Sequence, residues 1–161
     1  MPQKQVHTGH RLPLAYNLFF LILEPASALV GAFYAHLRQP QYLHLLDASS
    51  SPTAPPRGTS VVMSQLASMY LFFALNEAVV LRSTADMRVW RALLLVLLLA
   101  DFAHLYALRQ LGPRIYYDVT TWGAAHVGNV LWVYVGAILR LCFLAGVGMG
   151  GATTPPPSKK Q

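Results

Sequence analysis

The chain has 161 residues, 55% hydrophobic and only 11% charged, with a mean hydropathy of +0.42. A soluble domain carries about 25% charged residues, so this balance excludes a soluble globular domain and points to an integral membrane protein. The formal charge of +6 does not indicate nucleic acid, because the basic residues are scattered around the apolar runs and form neither stripe nor arm. A single cysteine, Cys142, excludes an intramolecular disulfide and a cysteine-rich metal site.

In chain order, the opening MPQKQVHTGHRLP has no signal-peptide apolar region of its own, and the run behind it lacks a small-residue cleavage site, so that run is expected to be a retained helix. The first helix is predicted over about 14–36, long enough to cross the roughly 30 Å hydrocarbon core at 1.5 Å per residue. Glu24 and Pro25 sit at its centre, and Pro25 leaves the Leu21 carbonyl without its usual donor. Residues 39–59, with DASSSPTAPPRGTS at their heart, are expected to form a mobile loop. A second helix is predicted over 60–81 and a third over 89–110, the latter stopped by Gly112-Pro113. Tyr116 and Tyr117 suit an interfacial aromatic belt. The fourth helix is expected over 121–146, and 151–161 as a disordered tail. The predicted fold is all-α, a four-helix transmembrane bundle making one integral membrane domain over residues 1–161.

Lys4, Arg11, Arg82, Arg88, Arg91, Lys159 and Lys160 fall on one side of that bundle, against Arg38, Arg57, Arg109 and Arg114 on the other. The excess of positive charge places both termini in the cytosol. Arg140, inside the fourth helix, either snorkels or pairs with an acid such as Glu77. The KKQ ending is a poor retrieval signal.

Counted from the cytosolic helix ends, Glu24 lies roughly 15 Å deep and Asp101 roughly 18 Å, but Glu77 only about 6 Å. Glu24 and Asp101 are therefore expected to meet at one level. A carboxylate at mid-bilayer costs at least ~2.5 kcal/mol, so both should face protein or a wet cavity. Two such carboxyls resist joint ionisation, which makes one an acid and the other a base, with His104, three residues after Asp101, as a proton relay. Asn17, Asn76, Glu77, His126, Asn129 and Trp132 are expected to orient a substrate around that catalytic set.

A plainer role competes at each position. Asn17, Asn76 and Asn129 equally suit interhelical ties, worth about 0.6 kcal/mol on average. His126 and Glu77 are expected near an interface, where water or Arg140 satisfies them. Glu24 and Asp101 are expensive as mere glue. No HExxH, GxSxG, P-loop or GxGxxG motif is present, so no metal and no cofactor is expected.

Asn17, Glu24, Pro25, Ala28, Leu29, Gly31 and Ala32 form an N…EP…ALxGA pattern that resembles a family of small four-helix fungal membrane proteins. The NE of helix two, D-x-x-H of helix three and W-G-x-x-H-x-x-N of helix four are similar to that family as well. More distantly, the layout is similar to the emopamil-binding and sterol-isomerase superfamily, in which a small bundle encloses a lipophilic substrate and intramembrane acids move protons. The resemblance implies a polyketide or terpenoid pathway as context; with the intramembrane acids, the expected function is a membrane-embedded enzyme doing acid/base chemistry such as epoxide opening or hydrolysis, cyclisation or isomerisation. That metabolic context, with the lack of other targeting signals, leads to an expected residence in the endoplasmic reticulum. The expected partners are a lipophilic small molecule and membrane lipid, not nucleic acid. A non-catalytic lipid- or sterol-binding scaffold is the rival. A proton-coupled transporter is disfavoured by small size and the lack of an internal repeat, unless the chain forms a homodimer.

Overall fold

A computed structural model describes residues 12–149, and these form helices and turns with no strand. The predicted tail at 151–161, together with Lys4, Arg11, Lys159 and Lys160, lies outside the described residues. Four helices are long and apolar enough to cross a membrane: α1 (Leu14–Leu37), α3 (Arg57–Leu81), α4 (Met87–Leu111) and α5 (Ala124–Leu144). The fifth, α2 (Gln39–Leu46), is short.

The segment expected to be a mobile loop over 39–59 is shorter than that, and the difference has a local cause. Pro40 stands in the first turn of α2, where a missing N–H costs nothing. Gln39 Nε2 then donates to the Ser60 carbonyl at 3.2 Å, and the hydroxyls of Tyr42 and Tyr70 lie 3.0 Å apart, so α2 is pinned to α3. At the far edge, α3 begins at Arg57 rather than residue 60, leaving 47–56 as the non-helical part. The fourth span begins at Ala124, because Val119–Thr121 forms a separate 3₁₀ turn. Gly112, at φ 90°, ends α4 in a conformation that favours glycine.

The spans pack as two antiparallel pairs. His36 meets Ser64 and Gly31 faces Tyr70 across α1 and α3, while His104 meets Asn129 and Trp90 stacks on Phe143 across α4 and α5. At the end of the bundle holding the α3–α4 connector, one core of Tyr16, Phe19, Phe20, Leu81, Trp90, Leu94, Leu97 and Phe143 joins both pairs. At the other end, Ala35, Met63 and Ala67 form a core within the first pair, and Leu108, Ile115 and Val130 form one within the second.

The distribution of side chains is inverted relative to a soluble protein. Leu14, Leu29, Val62, Val96, Leu99 and Ile138 are each at least half exposed, whereas Glu77, Asp101 and Arg140 are buried. Apolar outside and charged inside is the arrangement hydrocarbon selects. The protein is an integral, multi-pass membrane protein.

Candidate functional site

One ionisable side chain from each span converges in the bundle interior. Arg140 Nη2 donates to Glu24 Oε1 at 2.6 Å and to Glu77 Oε1 at 3.2 Å, and Nη1 donates to Asp101 Oδ2 at 2.7 Å. Arg140 and Glu77 are fully buried, while the side chains of Glu24 and Asp101 keep 15% and 10% exposure. The cluster is therefore closed on the Glu77 side and reaches the bundle surface at Glu24 and Asp101.

Local backbone geometry aims the acids. In α1 the turn Phe19–Leu23 is π-helical, and the Glu24 N–H bonds the Phe19 carbonyl five residues back. Pro25 comes next in the chain and contributes no N–H. In α3 the last turns, Asn76–Leu81, are π-helical as well and include Glu77. A π-turn inserts a residue into the ladder and rotates the next stretch of helix about its axis, which is why such turns recur at functional sites. On α5, Gly136 lies one turn before Arg140 and leaves the space the guanidinium occupies. The ring of Phe20 lies below, 5.7 Å from the guanidinium carbon.

Three carboxyls share one cation. In an apolar interior they cannot all be ionised without leaving charge uncompensated, so the arrangement holds at least one proton among them. Oε2 of Glu24, Oε2 of Glu77 and Nε of Arg140 are buried without a hydrogen-bond partner.

The structure brings together Glu24, Glu77 and Asp101, but a guanidinium stands between Glu24 and Asp101 where direct proton sharing was expected. Glu77 lies in the centre instead of near an interface. His104 is outside the cluster, one turn along from Asp101, and its Nε2 donates to the Asn129 carbonyl at 3.1 Å, joining α4 to α5. Trp132 packs on Phe19 with ring centroids 5.4 Å apart, and its Nε1 is buried without a partner. The remaining expected substrate contacts have local roles elsewhere. Asn17 Nδ2 bonds the Leu12 carbonyl, Asn76 Nδ2 turns back to the Phe72 carbonyl, and His126 Nε2 donates to the Leu46 carbonyl, tying α5 to α2.

Sequence reasoning assigned Arg140 a pairing with one acid and missed that it organises three; Gly136 went unnoticed. The available signal was a glycine one helical turn before the lone arginine of an apolar span. No curated protein and no solved structure matches the chain. Residues 9–150 match the domain of unknown function DUF7704, which takes in all four spans and the whole ion cluster. The chain belongs to the DUF7704 family.

Proposed function

We propose that this protein is a membrane-embedded enzyme that performs acid/base chemistry on a lipophilic small molecule, with epoxide opening or hydrolysis, cyclisation and isomerisation as the reaction types that need only a placed acid and base. The observation carrying the reading is the excess of carboxyls over cations around Arg140, which requires a proton to be held at mid-bundle. Glu24 and Asp101, at the two ends of the guanidinium and partly exposed, act as acid and base on a substrate arriving from the bilayer. Arg140 fixes their spacing, and Glu77 serves as the buried third carboxyl. The first-helix pattern favours a fungal polyketide or terpenoid as substrate and a distant kinship with sterol isomerases. Residence in the endoplasmic reticulum with both termini cytosolic belongs to the same proposal, and a glycosylation acceptor placed within 48–56 should be modified if that side is lumenal.

The test is replacement of the cellular copy by Glu24→Gln or Asp101→Asn, with mass spectrometry of the lipid-soluble metabolites as the readout. The enzyme reading expects one species to disappear and an isomer of it, or a species differing by one water, to accumulate. A metabolite profile identical to the unsubstituted protein in the double variant would sink it.

A second reading, a non-catalytic lipid-binding scaffold, is favoured by one feature: the cluster takes a single residue from each span, as a cross-link would. It expects the two variants to lower stability and leave the metabolites unchanged.

A further inference from the structure

An open groove of about 410 Å³ runs along the first two turns of α1 beside the end of α3, lined by Leu14, Asn17, Leu18, Leu21, Ile22 and Arg82. Leu14, Leu18 and Ile22 recur every fourth residue, so they form one face of α1, and they are 80%, 44% and 53% exposed. Arg82 is the single charge in the lining. Its Nη2 donates to the Leu21 carbonyl, which is open because Pro25, four residues further on, has no N–H to offer. That bond holds the guanidinium against α1.

Among the described residues, no acidic side chain answers Arg82. The sequence contains six, all within the described residues, and each has other partners. Glu24, Glu77 and Asp101 surround Arg140; Asp86 pairs with Arg88; Asp47 accepts from Ser49 and Ser50; Asp118 accepts from Thr120. Arg82 is exposed and pairs with no acidic side chain of the described residues, so the site is open to an anion from outside them. Beside it lies an apolar stripe facing the bilayer, so the complementary molecule has an anionic head and a hydrocarbon chain.

We propose that this groove seats an anionic phospholipid, its phosphate paired with Arg82 and one acyl chain laid along Leu14, Leu18 and Ile22. The planar fork of a guanidinium suits two phosphate oxygens at once, and the Leu21 carbonyl orients that fork in advance. The seat is distinct from the Arg140 cluster and does not depend on any reaction there.

Full-length protein in nanodiscs of phosphatidylcholine with a minority of phosphatidylglycerol, released into mild detergent and weighed by native mass spectrometry, reads which lipid stays bound. The unsubstituted protein should retain phosphatidylglycerol several-fold above its share of the bilayer. Arg82→Gln should bring that ratio down to the bulk value, while Arg91→Gln, an exposed arginine outside the groove, should not. Leu18→Trp fills the groove with Arg82 left in place and should also lower retention, which keeps the test decisive if Arg82→Gln fails to fold. Retention in the bulk ratio by the unsubstituted protein would overturn the proposal. So would an undiminished preference in either groove variant, or displacement of the lipid by inorganic phosphate alone, which would mark a free-anion site.

Discussion

A methyl group on Gly136 would stand 2.7 Å from Nη1 of Arg140 and 3.2 Å from Oε1 of Glu24. The end of an arginine ordinarily swings aside from such a contact. Here the guanidinium is fully buried and held by three carboxyls, so moving it breaks the ion pairs that close the bundle interior.

Gly136→Ala should therefore destabilise the protein by about 1–3 kcal/mol, the range for overpacking a filled interior. A lowered midpoint of thermal unfolding in detergent reads the effect. Gly128→Ala on the same helix, where an added methyl meets nothing within 4 Å, is the control and should leave the steric term unchanged.

Arg140→Met removes the cation and strands three carboxyls in an apolar interior. Breaking a buried pair by deleting one partner costs about 3–5 kcal/mol, so the folded yield should collapse. Adding Glu24→Gln, Glu77→Gln and Asp101→Asn to the same chain removes the stranded charge and should recover most of that yield on size-exclusion chromatography. Failure to recover would mean that the guanidinium is needed for its shape as well as its charge.

Pro25 and Arg82 are coupled through the Leu21 carbonyl. Pro25→Ala restores an N–H four residues beyond that carbonyl, so Arg82→Gln should cost less stability in the Pro25→Ala background than alone. A double-mutant cycle should return a coupling of about 0.5–1.5 kcal/mol, the net value of one hydrogen bond. Strict additivity would show that Arg82 does not compensate for the proline.

Asp86 caps α4, accepting from the Arg88 backbone N–H at 2.8 Å and from its guanidinium at 3.0 Å. The Arg88 side chain and then its backbone N–H hold this carboxyl below the ordinary range. Because the folded chain prefers the ionised form, the cap is complete above the unfolded-state value near ~4 and is lost as pH falls through the lower folded value. Amide exchange at Val89 and Trp90, corrected for intrinsic rates, should accelerate in that acid window. Asp86→Asn should flatten the dependence. The carboxyl is exposed, so the effect should stay within the first turns of α4.

Determined by the sequence alone were the four spans, the Leu21 carbonyl that Pro25 leaves open and the presence of Glu24 and Asp101 deep within their helices. These depend on length, apolarity and the cost of charge in hydrocarbon, all of which are read along one helix. The helix α2 was hidden because its eight residues are held by contacts to Ser60 and Tyr70 on α3, and a short helix has little stability without such contacts.

Only the tertiary structure decided that Glu77 is central and that Arg140 gathers three acids. Depth counted from helix ends assumes that all ends lie at one level. They do not: Glu77 is level with Glu24 although it lies near the end of α3, since both carboxyls reach the same Nη2 of Arg140. Each span's vertical offset and rotation come from packing between helices, from two π-turns that re-aim the acids, and from the space left by Gly136. None of these is a property of a single helix, and together they set which charges meet.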